Sequence, residues 1–216
     1  MGRISKTLAI LWLVGWALMG WAERESESFP HLTVFVTDRA GATAGLVADA
    51  ERHADRVFLR AGLNVDWVNC GGAPDAPLDS RCARTIPIGD LVVRIVSRAR
   101  TLSDGIFGVS FVADDTGTYA DVFFDPIQQL RALNKGPSLA AILGDVIAHE
   151  LGHLLLGSNA HSREGIMQPH WQAEQLGRIA KGQMHFTPEQ ASKMRTKLVV
   201  RQKENQPTPP LQAAIQ

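Results

Sequence analysis

The alternation of apolar and polar positions along the chain predicts five β-strands. Residues 31–38 (HLTVFVTD) alternate and are rich in β-branched side chains, which is typical of a strand with one buried face. Four more segments are read as strands: 63–69, 90–98, 105–114 and 118–125. The turn-forming run DDTG at 114–117 connects the last two.

Two longer segments carry helical periodicity. Over residues 41–62 apolar side chains recur at helical spacing with charges between them, and Gly62 is placed to end the helix. Residues 137–157 are apolar on nearly every side, so this helix should lie in the core. Ser138 can cap its start and Gly157 its end.

A third helix is predicted over residues 187–202, where Thr187, Pro188 and Gln190 form a capping box with a proline in the first turn. Residues between Ser158 and this helix are read as irregular. The expected fold is therefore α/β (α+β), with one mixed five-stranded sheet backed by two long helices. One domain should span residues 23–204, and the Pro- and Gln-rich tail at 205–216 is expected to be disordered.

The N-terminus has the layout of a secretory signal peptide. Arg3 and Lys6 precede an apolar run at 7–22, and Gly20 and Ala22 supply the small residues of a cleavage site after Ala22. The alternative is an uncleaved membrane anchor, although a span normally needs about 20 apolar residues. A secreted or periplasmic location is expected, or an anchored one facing away from the cytoplasm.

The net charge bears on the kind of partner, and the cysteine pair bears on the cellular compartment. Lys plus Arg and Asp plus Glu both number 22, so the basic footprint of a nucleic-acid-binding protein is missing. Cys70 and Cys82 flank a loop rich in Gly, Pro and Asp, and in an exported protein such a pair predicts a disulfide. Two unrelated thiols are the alternative, and a zinc role is disfavoured by the spacing.

The segment AHELGHLLLGSNAHSREGIMQPHW at 148–171 holds the chemistry. His149 and His153 are four residues apart on a helix, so both rings emerge on one face and can share a tetrahedral Zn²⁺. Glu150 is rotated by about 100° from His149, which suits a base that takes a proton from a metal-activated water better than a ligand. The pattern also occurs by chance, but two histidines and a glutamate on an otherwise apolar helix would be costly without a metal.

The same segment resembles the long motif of metzincin zinc peptidases, H-E-x-x-H-x-x-G-x-x-H followed by a Met-turn. Here the glycine is Gly157, one residue late, and the third histidine is His161, two residues late. The run HELGH…HS…GIM is most similar to the matrixin branch. Glu174 approximates the third-ligand spacing of gluzincins, but a surface glutamate is the preferred interpretation.

This resemblance implies one catalytic Zn²⁺ held by His149, His153 and His161, with Glu150 as general base and acid and Met167 as a structural residue. It also implies that the fourth strand is a sheet edge that binds an extended peptide through its backbone. The side chains of Phe107, Val109 and Phe111 on that strand are expected to pack in the core. His170 and Trp171 either line the substrate pocket or pack.

The expected function is zinc-dependent hydrolysis of peptide bonds by an exported metalloendopeptidase, acting on a peptide or protein and not on nucleic acid. The alternatives are a weakly active or inactive zinc-binding peptide-recognition domain and an amidase acting on cell-wall peptides. Membrane contact is expected only through an uncleaved N-terminal segment. Asp114, Asp115 and Asp121 are a candidate group for binding calcium, although the sequence contains no recognisable calcium loop.

Overall fold

The structure is a computed structural model that describes residues 29–71, 79–87, 89–98 and 105–204. The predicted signal segment at 1–22 and the predicted disordered tail at 205–216 lie outside the described residues.

Five strands and five α-helices make up the described chain, with a short 3₁₀ helix at Ser80–Ala83. In chain order they are β1 His31–Asp38, α1 Ala44–Arg60, β2 Asn64–Asn69, β3 Leu91–Val96, β4 Gly108–Ala113, β5 Thr116–Phe123, α2 Phe124–Leu133, α3 Leu139–Leu156, α4 Ala173–Ala180 and α5 Pro188–Glu204.

The strands form one mixed sheet in the order β2-β1-β3-β5-β4, which confirms the predicted fold class. Neighbouring strands are parallel except for β4, which runs antiparallel to β5 and forms one edge of the sheet. The β4–β5 hairpin turns through Asp114 and Asp115, which both adopt positive φ angles of 48° and 59°. Two such residues in succession suit the primed turns that join antiparallel strands.

Helices α1 and α3 cover one face of the sheet and form the core with it. They pack closely at Gly144, where an added Cβ would lie 2.4 Å from the Ala50 carbonyl oxygen. Among the described residues α3 is the one helix long and apolar enough to cross a membrane, and 89% of it is buried within the fold. It is therefore the core helix that the apolar sequence predicted.

Both ends of α3 are fixed by specific contacts. Ser138 accepts a hydrogen bond from the Ala141 amide at 3.0 Å, and Gly157 ends the helix in the left-handed conformation at φ 62°. From α5, the Lys197 ammonium donates to the carbonyl oxygens of Leu156 and Asp115, both at 3.0 Å. Arg201 donates to the carbonyl oxygens of Leu154 and Gly117. Helix α5 thus joins the last turn of α3 to the β4–β5 hairpin.

Two helices were not predicted. Helix α2 begins directly after β5, so the predicted strand over 118–125 is wrong at its end: Phe124 and Asp125 are helical. Helix α4 lies in the stretch read as irregular, and its start carries a capping box between Gln172 and Gln175. Helix α5 begins with the predicted capping box. The Thr187 hydroxyl accepts a hydrogen bond from the Gln190 amide, and the Gln190 side-chain oxygen accepts one from the Thr187 amide.

A disulfide joins Cys70 to Cys82, as the sequence predicted. Their Cα atoms lie 5.4 Å apart, and the bond closes the segment that follows β2.

Candidate metal centre

Three histidine side chains converge where α3 meets the loop that follows it. His149 and His153 lie one turn apart on α3, and His161 comes from the loop. The ligand atoms of all three lie within 4.8 Å of one another, and the Nε2 atoms of His149 and His153 are 3.1 Å apart. The structure therefore brings together the three histidines that the sequence singled out.

Backbone carbonyls fix which ring nitrogen is free. Nδ1 of His149 donates to the Ile166 carbonyl oxygen at 2.7 Å, and Nδ1 of His153 donates to the Ser158 carbonyl oxygen at 2.8 Å. A carbonyl can only accept, so each Nδ1 carries the hydrogen and each Nε2 presents a lone pair. Metal-binding histidines are commonly oriented in this way.

Desolvation favours the neutral form of all three rings, although His161 is exposed at the surface of the site. Desolvation lowers the pKa of His149 to about 3 and also lowers the pKa values of His153 and His161. Two unprotonated Nε2 lone pairs facing each other at 3.1 Å repel, and a cation between them removes that repulsion. Tetrahedral Zn²⁺ with Zn–N bonds of about 2.0–2.1 Å places two nitrogens roughly 3.3 Å apart. The donor set fits such an ion.

Gly157 allows the chain to turn after α3, so that His161 lies near the other two histidines. An added Cβ on Gly157 would lie 1.9 Å from the Asp115 carbonyl oxygen, so the chain leaves α3 in contact with the β4–β5 hairpin. The loop is then held by the Ser158 amide, which donates to the His153 carbonyl oxygen, and by the Ser158 hydroxyl, which accepts from the Ala160 amide. The turn is longer than in the motif it resembles, yet His161 reaches the other two rings.

Met167 packs against α3 at Gly152, which lies between the two histidines in the sequence. It is fully buried, and an added Cβ on Gly152 would lie 2.7 Å from its sulfur. Its carbonyl oxygen accepts from the Ser162 amide at 2.9 Å, which closes the chain from the third histidine to Met167 into a compact loop. The adjacent Ile166 carries the carbonyl that orients His149.

Glu150 lies next to the histidines and is 5% exposed. The Ser110 hydroxyl from β4 lies 2.7 Å from Glu150 Oε2 and 2.8 Å from the Glu150 carbonyl oxygen. Burial raises the pKa of Glu150 to about 7, and the Ser110 hydrogen bond opposes that shift. An added Cβ on Gly108 would lie 2.6 Å from both Cγ and Oε1 of Glu150, so the strand backbone lies directly against this carboxyl group. Sequence reasoning identified neither Ser110 nor Gly108.

A cleft of about 320 Å³ opens in front of the histidines. One wall is β4 with the residues before it, and the other includes His170 and Trp171. The rings of Phe107 and Trp171 stack at 6.3 Å between centroids. His170 and Trp171 thus line the cleft, and Trp171 also packs against the core.

The core packing expected for the β4 side chains holds only in part. Phe107 packs against the core and lines the cleft, and Val109 also lines it. Phe111 is 53% exposed and packs against Tyr119 on the sheet face away from Glu150, so the prediction is wrong for it. The alternation of a strand accounts for Phe111, because Ser110 points inward and the next residue along the strand points to the opposite face.

The rejected ligand candidates lie elsewhere. Glu174 is exposed and pairs with Arg178 on α4 at 3.0 Å. Asp121 is held by Arg94 through two hydrogen bonds of 2.8 Å. Within the described residues, the three histidines form the one cluster of His, Cys, Asp and Glu side chains suited to a metal, and no fourth such residue joins it.

Comparisons with known proteins give fold-level similarities. No family model matches the sequence, and no curated protein matches it. Archaemetzincin from Methanopyrus kandleri superposes with a TM-score of 0.48 and 18% identity, over 79% of this chain and 97% of that one. Metalloproteinase-II from Bacteroides fragilis superposes with a TM-score of 0.47 and 13% identity, over 79% of this chain and 54% of that one. At this similarity, the function of the chain has to be argued from its own residues.

Proposed function

We propose that this protein is a zinc-dependent metallopeptidase of metzincin-like type that hydrolyses peptide bonds as an endopeptidase. The observation that carries the proposal is the group of His149, His153 and His161, which has three free nitrogen donors beside buried Glu150. The group opens into a cleft along a sheet edge. A structural zinc site is closed by a fourth protein ligand, whereas a catalytic one keeps a position open.

Each residue near the cleft has a defined part in this proposal. The three histidines would hold one Zn²⁺, which supplies Lewis-acid polarisation of the substrate carbonyl and activation of a water molecule. Glu150 would take a proton from that water during its attack on the carbonyl carbon and return it to the leaving amine. A carboxylate beside the metal-activated water can do both, because it accepts the proton and then holds it as a neutral acid. Met167 would support the histidine pair from below without touching substrate.

The substrate would bind along β4 as an extended strand. One side of β4 pairs with β5, and its other side is the edge of the sheet. A peptide that pairs with this edge gains main-chain hydrogen bonds that do not depend on its sequence. Phe107 and Trp171 would then contact a substrate side chain, while Glu150 and the histidines lie against the scissile bond.

Three variants test the proposal. Wild type, Glu150→Ala and His161→Ala are analysed for bound zinc and for cleavage of a peptide library. Glu150→Ala should keep its zinc and lose about 10²–10⁴-fold in cleavage rate, because a general base is removed. His161→Ala should lose zinc affinity, because two histidines remain of three.

Glu174→Ala is the matched control, since it removes an exposed glutamate outside the metal group and should match wild type in both assays. Glu150→Ala with wild-type cleavage would sink the role given to Glu150. Zinc binding without any cleavage by wild type would favour a peptide-recognition domain, and cleavage confined to cell-wall peptides would favour an amidase.

We also propose that the chain is exported, with residues 1–22 as the signal peptide and residues 23–204 as the catalytic domain. The Cys70–Cys82 disulfide supports this location, because disulfides persist in oxidising compartments. N-terminal sequencing of the protein recovered from outside the cytoplasm should start at Glu23. A chain that keeps Met1 and sediments with membranes would show an anchor instead.

A further inference from the structure

We infer that Ser110 is a positioning residue that gives the two carboxyl oxygens of Glu150 different tasks. Ser110 holds Oε2 against β4 and leaves Oε1 to transfer the proton. This inference rests on the proposed function, since it concerns the proton transfer assigned to Glu150.

The geometry separates the two oxygens. Ser110 is 6% exposed, and its hydroxyl lies 2.7 Å from Oε2. The hydrogen bond from the Ser110 hydroxyl to the carboxyl group ends on Oε2, and Glu150 lines the cleft that the histidines face. The Gly108 backbone lies against the same carboxyl group, so the side chain is confined from a second direction. Oε1 is therefore the oxygen that Ser110 leaves available to a reacting water or amine.

The Ser110 hydroxyl can stay bonded in both protonation states of Glu150. It has one hydrogen and two acceptors in reach, Oε2 at 2.7 Å and the Glu150 carbonyl oxygen at 2.8 Å. When Glu150 is ionised, the hydroxyl donates to Oε2, where the charge makes that bond stronger. When Oε1 carries the proton, Oε2 remains an acceptor, and the hydroxyl can donate to it or turn to the backbone oxygen. No proton leaves Ser110, so the proton taken from water stays on Glu150 until the amine receives it.

Holding one oxygen has a kinetic consequence. A freely rotating carboxyl group would have to regain its orientation in each proton transfer, and small misplacements of a catalytic group slow a reaction strongly. A hydrogen bond to a charged group contributes enough to account for about a 10- to 100-fold change in rate. Substrate binding along the backbone of β4 would not use this hydroxyl, so KM should be little affected.

Four full-length variants separate this role from a structural one: Ser110→Ala, Ser110→Cys, Ser110→Thr and Thr118→Ala. The first removes the hydroxyl, the second keeps the size with a weak donor, and the third restores a hydroxyl on the same Cβ. Thr118→Ala is the control, because it removes an exposed hydroxyl from the neighbouring strand β5. Each variant is measured for zinc content, thermal unfolding, kcat and KM, and the crystal structure of Ser110→Ala is determined.

Ser110→Ala and Ser110→Cys should lose about 10- to 100-fold in kcat, with KM and zinc content as in wild type. Ser110→Thr should recover most of that loss, and Thr118→Ala should match wild type. The Ser110→Ala crystal should show the Glu150 carboxyl in more than one orientation. A wild-type kcat in Ser110→Ala, a Thr variant as slow as the Ala variant, or an unchanged single Glu150 orientation would each overturn the inference.

The two proposals fail differently. If wild type cleaves peptides and Glu150→Ala does not, while Ser110→Ala keeps full kcat, only the role of Ser110 is lost. If wild type loaded with zinc cleaves nothing, the proposed function fails, and the role of Ser110 fails with it.

Discussion

Replacing Gly157 with alanine should damage both the stability of the protein and the candidate metal centre. Gly157 ends α3 at φ 62°, a left-handed conformation that is unfavourable for residues with a Cβ. The new Cβ would lie 1.9 Å from the Asp115 carbonyl oxygen and 2.4 Å from Lys197 Nζ. A backbone oxygen cannot rotate away, so either the hairpin or the end of α3 has to move.

The magnitude follows from the backbone conformation of Gly157 and from these two close contacts. The left-handed conformation costs roughly 1–2 kcal/mol with a Cβ present. Displacing Lys197 weakens its two hydrogen bonds to the Leu156 and Asp115 carbonyl oxygens, each of which contributes about 1 kcal/mol for a partly exposed group. With the backbone shift added, the loss should be about 3–5 kcal/mol, in the range of severe point mutations. In a domain of this size, the melting temperature should fall by roughly 6–20 °C.

The measurement is urea unfolding of the metal-free and zinc-loaded protein, together with zinc affinity by chelator competition. Metal-free Gly157→Ala should show the full loss, and its zinc affinity should fall because the turn that delivers His161 is displaced. Gly177→Ala is the matched control: it lies inside α4, nothing lies within 4 Å of its added Cβ, and alanine favours helix there. A Gly157→Ala protein within about 0.5 kcal/mol of wild type and with equal zinc affinity would refute the reasoning, because ordinary surface changes fall in that range.

Three further predictions concern other parts of the molecule. Changing both Cys70 and Cys82 to serine should lower the free energy of unfolding by about 3 kcal/mol, because the disulfide restricts the unfolded chain over a sequence separation of 12. A urea midpoint equal to that of wild type under oxidising conditions would contradict this. Glu51 of α1 is buried, and burial raises its pKa from 4.5 to about 7, so the folded state favours the neutral acid. The stability that comes from keeping this acid neutral is fully present below pH 4.5 and is lost as the pH rises through 7. Glu51→Gln should remove that dependence and gain stability relative to wild type at pH 8, and a pH profile parallel to wild type would count against the explanation. Removing zinc with a chelator should lower the unfolding free energy by about 2.7 kcal/mol when free zinc had been at 100 times its Kd, whereas equal melting curves with and without metal would argue against a folded-state zinc site.

The periodic segments allowed the main elements to be predicted from sequence. Helix α3 could be recognised because its side chains are apolar all round and Ser138 and Gly157 mark its ends. The hairpin could be recognised because aspartates in succession tolerate a left-handed backbone. In the site, helical spacing was enough to put His149 and His153 on one face, since that geometry is local to the chain.

What sequence reasoning missed depends on weak local signals or on distant contacts. Helix α2 starts without a side-chain cap after the apolar run of β5, so nothing marks the change from strand to helix except Pro126 in the first turn. Helix α4 is only 8 residues long and contains Gly177, which lowers its helical propensity. Ser110 reaches Glu150 across 40 residues of sequence, and its place is set by the pairing of β4 with β5. Such a contact exists only once the sheet has formed.

Helix α5 is synthesised after the other described elements that surround the three histidines. Lys197 and Arg201 hold the last turn of α3 and the β4–β5 hairpin. They are synthesised after the three clustered histidines, by 36 residues from His161 to Lys197 and by 52 residues from His149 to Arg201. At roughly 5–20 residues per second, translation leaves an interval of a few seconds in which the histidines exist but the helix that locks their surroundings does not. The order of synthesis therefore delays completion of the surroundings of the three histidines until nearly all of the described fold has been made.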